Sequence, residues 1–141
     1  NEQLWDDSQD YYLIRYADVL LMRAEALAQT NGDPAEIKAL VDAVRARVGM
    51  PGVDEAEGAD RALNHQELLD IVKHERRVEL AFEGLRYFDL FRWREMEAAY
   101  AKTNTEGLGS RRNFDPARHY VWPIPQAELD NNKALEQAPE W

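Results

Sequence analysis

The 141-residue sequence contains no cysteine and only three histidines. Without thiols there is no disulfide framework, no cysteine-based zinc site and no thiol nucleophile. His65, His74 and His119 stand far apart in the chain, so a shared metal site is not expected. No run of about 18 apolar residues occurs, and nothing in the sequence reads as a membrane-spanning helix. Positive charge is also short: 17 Lys and Arg against 27 Asp and Glu leave a net charge of −10. That balance argues against nucleic acid, whose phosphates need clustered basic residues, and against an anionic lipid surface. Phosphate-binding glycine loops and a G-x-S-x-G elbow are missing too. Ser8 and Ser110 have no histidine near them in the chain.

What is present is the composition of a folded protein. Hydrophobic residues make up 45% and charged residues 31% of the chain, outside the range of disordered segments. The length suits one domain with a buried core. Residues 1–12 are polar and aromatic and read as an irregular opening. From residue 14 to residue 29, Tyr16, Ala17, Leu20, Ala24, Leu27 and Ala28 keep a helical period, and the alanines admit a close neighbour. Asn31-Gly32 ends this helix. Asp33-Pro34-Ala35-Glu36 opens the next with an N-cap, a first-turn proline and an acidic N3 residue. It continues through Ile37, Leu40, Val41, Val44 and Val48 and stops at Gly49. The pair forms an αα-hairpin that resembles one tetratricopeptide-like unit. One such unit cannot bury its own face. The hairpin is therefore expected to present an apolar, alanine-lined surface that another part of a longer protein covers.

Residues 49–64 read as an acidic, glycine-containing loop. Asn64-His65-Gln66-Glu67 is a capping box, and the helix it opens is expected to run to about Glu83, with Gly84 as its C′ residue. A further helical stretch covers residues 86–101, interrupted near Trp93. Residues 103–114 read as a polar loop and 119–122 as extended. Pro123-Ile124-Pro125 stiffens the backbone ahead of a short helix at 126–131. The predicted fold class is mostly α, with few or no strands.

The densest segment is KHERRVELAFEGLRYFDLFRWR at residues 73–94. Side chains three or four apart face each other on a helix. Arg76 is thus expected to meet Glu79, Glu83 to meet Arg86, Arg86 to meet Asp89, and Asp89 to meet Arg92 and Trp93. Apolar residues occupy so much of the remaining surface that some charges must be partly buried, which requires pairing. Glu75, Arg76, Glu79, Glu83, Arg86, Asp89, Arg92 and Trp93 are read as a structural ion-pair motif, with Glu79 and Arg86 in a network around Trp93. A catalytic or metal reading of Glu75, Glu79 and Glu83 lacks partners. Di-iron sites need Glu-x-x-His motifs on facing helices, and Val78 stands where the H-E-x-x-H zinc motif begun by His74-Glu75 needs its second histidine. The neighbouring Arg76, Arg77 and Arg86 would also lower the carboxyl pKa values, which is wrong for a general acid.

The same residues carry a resemblance. ERRVELAFEGLRYFDLFRW at 75–93 resembles the signature of the SusD/RagB family of nutrient-binding outer-membrane lipoproteins. IRYADVLLMRAEAL at 14–27 resembles the family's upstream helix, and YVWPIPQAELDNNKALEQAPEW at 120–141 its C-terminal end. Three motifs in the expected order span nearly the whole chain. The resemblance implies a mostly α, SusD-like fold with tetratricopeptide-like helices. It also implies a non-enzymatic, cofactor-free role in polysaccharide utilisation by Bacteroidota: binding an oligosaccharide, or another nutrient such as a peptide, at the cell surface. The ligand would pass to a SusC-like TonB-dependent transporter. Family members are several times longer, exported and held at the outer membrane by a lipidated N-terminal cysteine. Asn1-Glu2-Gln3-Leu4 does not begin an export signal. Residues 1–141 are therefore expected to be the C-terminal domain of a longer, lipid-anchored protein whose remaining portion holds most of the ligand site.

Aromatics are the candidates for direct ligand contact. Trp5, Tyr11, Tyr12, Trp93, Tyr100, Tyr120, Trp122 and Trp141 offer plates for the C–H faces of sugar rings, although Trp93 and Tyr120 read as packing residues. Trp5 and Tyr100 adjoin irregular segments. With Arg111, Arg112 and Asn113 as loop donors to hydroxyls, they make up the candidate ligand-binding set, while exposed polar loop residues often have no specific role. Two rival readings remain: a helical adaptor that binds a protein through a tetratricopeptide-like groove, and a glycoside hydrolase using a carboxylate pair.

Overall fold

A computed structural model describes residues 12–58, 61–107 and 113–141. The chain divides into two compact units, residues 1–84 and 85–141. Among the described residues there are seven helices and no strand, which is the mostly α class that the sequence predicts. Residues 1–11, read as most of an irregular opening, lie outside the described residues.

The first unit contains α1 (Tyr16–Gln29), α2 (Pro34–Ala46), α3 (Val53–Glu57) and α4 (His65–Glu79). Helix starts leave backbone N–H groups without partners, and here side chains supply them. Asp33 accepts the Ala35 N–H at 2.9 Å ahead of Pro34. Asn64 accepts the Glu67 N–H at 3.0 Å, and Glu67 accepts the Asn64 N–H at 2.9 Å, so the capping box of α4 is complete. The segment read as an acidic loop contains α3, a single short turn with too few residues to show a period. Its buried Val53 donates its N–H to Asp42 at 2.7 Å.

Helix α1 packs against both α2 and α4. Leu21, Ala24, Ile37, Val41, Val53, Leu68 and Val72 form the buried centre. The hairpin therefore finds its covering helix inside the unit. Ala24 and Ala28, expected to line an open face, are buried beneath these neighbours. Tyr16, which the apolar period assigned to the packed side, is 75% exposed, whereas Leu21 is completely buried. The reason is that two acidic residues, Asp18 and Glu25, share the buried face of α1 with Leu21 and Ala28. An apolar pattern cannot see them. Val19 and Met22 are exposed along with Tyr16.

Helix α4 stops at Glu79 rather than near Glu83. Arg15 Nη2 takes the Glu79 carbonyl at 2.5 Å, and the Glu83 N–H turns to the Leu80 carbonyl at 3.3 Å. Phe82 and Gly84 then adopt left-handed φ values of 66° and 78°.

The second unit holds α5 (Arg86–Arg92), α6 (Met96–Thr105) and α7 (Gln126–Asn131). The interruption expected near Trp93 is present, with Arg94 at φ 60°, and α6 extends beyond the expected Ala101 to Thr105. Residues expected to be extended before Pro123 instead turn, because the Asp115 carbonyl accepts the N–H groups of Arg118 at 3.1 Å and His119 at 2.8 Å. Gln137 bonds the N–H and carbonyl of Ile124, each at 3.0 Å, and so ties the tail to the Pro123–Pro125 segment. No helix among the described residues is long and apolar enough to cross a membrane.

Candidate functional site

Two constellations stand out, one in each unit. In the first, Glu75 and Arg76 are both 4% exposed yet face different helices. Arg76 Nη1 donates to Asp18 on α1 at 2.8 Å, with Glu25 at 3.9 Å from its Nε. Glu75 accepts Arg45 Nε from α2 at 2.8 Å. Glu79 accepts Arg15 Nη1 at 2.6 Å and Arg47 Nη2 at 2.8 Å, and Glu83 accepts Arg15 Nε at 2.9 Å. The pairing expected along the helix between Arg76 and Glu79 is thus replaced by pairing between elements. Arg15 ahead of α1, and Arg45 and Arg47 at the end of α2, reach the carboxylates of this segment, while Arg76 turns to the carboxylates of α1.

Burial acts to raise the Glu79 carboxyl, but the hydrogen bonds from Arg15 and Arg47 outweigh it and hold the group below its ordinary value near 4.5. The Arg15 guanidinium is pushed up, chiefly by its bonds to Glu83, against the effect of burial. A carboxylate held as an anion in this way is a poor proton donor at neutral pH. His65 Nε2 bonds the Gly32 carbonyl at 2.8 Å. Among the described residues no group of three or more His, Asp and Glu side chains gathers as a metal site.

The second unit contains an open cavity of about 360 Å³, within the size range of small-ligand sites. Its walls are aromatic: Tyr87, Tyr100, Phe114, His119, Trp122 and Trp141, with Met96 and Asn113 among the other lining residues. Helix α5 places Tyr87 and Phe91 one turn apart, stacked at 5.8 Å, and Tyr87 meets Trp122 edge-on at 6.5 Å. Phe114 is the hub. It packs edge-to-face on Tyr120 at 4.8 Å, His119 at 5.4 Å and Tyr100 at 5.8 Å, separations that favour aromatic pairs. The terminal Trp141 is held by its Nε1–H to the Val121 carbonyl at 2.7 Å. The Asp115 N–H donates to His119 Nδ1 at 2.8 Å and sets the orientation of that ring. Among the described residues, two guanidiniums lie on this aromatic system, Arg94 over Tyr120 at 4.2 Å and Arg118 over Trp141 at 4.3 Å. The Tyr120 hydroxyl is buried without a hydrogen-bond partner among the described residues. Among the described residues no acidic side chain lines the cavity.

Of the candidate ligand set, Tyr100 and Asn113 both line this cavity, whereas Trp5, Arg111 and Arg112 lie outside the described residues. Within the ion-pair motif, Asp89 is 3% exposed and binds Arg92 at 2.9 Å. Arg86 and Arg92 lie over Trp93 at 5.7 and 4.8 Å. Glu79 is committed instead to Arg15 and Arg47. Sequence reasoning did not single out Tyr87, Phe114 or His119 as cavity residues. The available signal was the aromatic density of residues 114–122 together with a terminal tryptophan.

Comparison with known proteins places these features in a family context. The sequence matches the SusD family over residues 1–141. It is 34% identical over 131 residues to SusD-like protein P2 of Formosa agariphila, covering 92% of this chain and 25% of that protein. Identity to SusD-like protein P38 of the same organism is 35% over 133 residues, covering 93% of this chain and 24% of that protein. A crystal structure of a SusD homolog from Bacteroides thetaiotaomicron superposes with a TM-score of 0.73 at 35% identity, covering 93% of this chain and 27% of that one. A SusD superfamily protein from Bacteroides vulgatus gives a TM-score of 0.71 at 26% identity, covering 91% and 27%. The chain thus spans about a quarter of the length of these relatives.

Proposed function

Because this chain belongs to the SusD family, we propose that it is part of a surface protein that binds an oligosaccharide and passes it, uncleaved, to a SusC-like TonB-dependent outer-membrane transporter. The observation that carries this reading is the family match over the whole of residues 1–141. The aromatic cavity supports it. Flat rings suit the C–H faces of pyranoses, and the Asn113 amide and His119 ring supply polar contacts at the same walls. A glycosidase needs two carboxyl groups flanking the scissile bond, and among the described residues no carboxyl side chain lines this cavity. Attachment to the outer membrane would come from a lipid anchor outside residues 1–141.

Calorimetric titration of the chain and of the full-length protein against an oligosaccharide panel, with chromatography of each mixture, tests this. Binding without product is expected, and a chelator should leave it unchanged. Trp122 is 71% exposed, so Trp122→Ala should preserve the fold and weaken binding about 5- to 10-fold through lost stacking. Released product, or binding abolished by the chelator, overturns the reading.

A further inference from the structure

We propose that the cavity of the second unit selects an acidic pyranose, carrying a carboxylate or a sulfate ester, and that Arg118 is its anion-binding residue. This rests on the glycan-binding reading above and adds the charge of the ligand. The first observation is a charge contrast. The chain carries a net charge of −10, yet among the described residues no Asp or Glu lines the cavity. Sugar hydroxyls need acceptors as well as donors, and a lining without carboxylates offers few strong acceptors.

The second observation concerns two arginines. Arg15, Arg45, Arg47 and Arg76 of the first unit are all ion-paired. Arg94 and Arg118 have no ion pair among the described residues and lie on aromatic rings instead. Of the two, Arg118 sits on a ring of the cavity wall itself, Trp141. A guanidinium stacked on an aromatic face keeps its in-plane N–H donors for a partner, and their fork matches a carboxylate in two parallel bonds. The third observation is the adjoining His119. Its Nδ1 accepts the Asp115 N–H at 2.8 Å, so in the neutral ring the proton is on Nε2. His119 thereby brings a second donor from the same turn. Arg118 and His119 thus place two side-chain donors on one turn beside the cavity wall, which complements an anion better than a neutral polyol.

The test uses the 141-residue chain with three probes: a galacturonic acid trimer, its fully methyl-esterified form, and a sulfated galactose trimer. The ester keeps the rings and loses the charge. At low salt the better acidic probe should bind about 10-fold tighter than the ester, and the gap should narrow as salt rises. Which acidic probe gains more identifies the anion. Arg118 is exposed, so Arg118→Ala should leave the circular dichroism spectrum unchanged. It should reduce the acidic advantage to within about 2-fold, the acidic probe losing several-fold more affinity than the ester. Equal affinity for acid and ester overturns the proposal and leaves the glycan reading standing. An acidic advantage that survives Arg118→Ala overturns the role of Arg118. Failure of all three probes overturns both the proposal and the placement of a glycan site in this cavity.

Discussion

Arg76 faces Asp18 and Glu25 from a position that is 4% exposed, so its removal would leave two buried carboxylates without their cation. Arg76→Ala should therefore cost about 3–5 kcal/mol, read as a lower urea midpoint at unchanged slope. Arg23→Ala, which breaks the exposed pair with Glu36, should cost at most about 1 kcal/mol. Equal losses would mean that Arg76 is solvated. Glu79 behaves differently because its pKa is held down in the folded state. Its contribution is fully present above the unfolded carboxyl value and is lost as pH falls through the folded one. Arg15, shifted upward, stays charged throughout this range and adds no slope. Stability should thus fall as pH drops below about 5, and Glu79→Gln should make that fall shallower. An unaltered pH profile in the variant would show that Glu79 contributes nothing through its charge.

The end of helix α4 shows how a distant side chain reshapes an element. Gly84 is a plausible helix stop from local rules, but Arg15 captures the Glu79 carbonyl and ends the helix earlier. The cost is carried by Phe82, a fully exposed aromatic residue at φ 66°. Left-handed backbone costs an L-residue roughly 1–2 kcal/mol, and glycine tolerates it. Phe82→Gly should therefore raise stability by about 0.5–1 kcal/mol in chemical denaturation. A destabilised variant would show that the Phe82 ring makes stabilising contacts in solution. Helix α1 teaches a related point. Its buried side alternates Asp18 and Glu25 with Leu21 and Ala28, so the apolar pattern alone pointed to the wrong face at Tyr16.

For the whole chain, the two compact units suggest separable stability. The centre built from Leu21, Ile37, Val41, Leu68 and Val72 lies entirely within residues 1–84. A chain truncated after Gly84 should remain helical and melt cooperatively by circular dichroism. A gradual, non-cooperative melt would show that it depends on the remainder. The starts of α2 and α4, the break at Trp93, the short α7 and the family itself could be read directly from residues, because caps, turns and motifs act between positions a few residues apart. The ion-pair partners could not. Arg76 and Asp18 are 58 positions apart and Arg45 and Glu75 are 30 apart, so they meet only once α1, α2 and α4 have packed. The same holds for the cavity, where Tyr87, Tyr100, Phe114 and Trp141 converge from helices, a loop and the tail. Local order follows from neighbours along the chain, whereas burial and charge pairing depend on what lies across it.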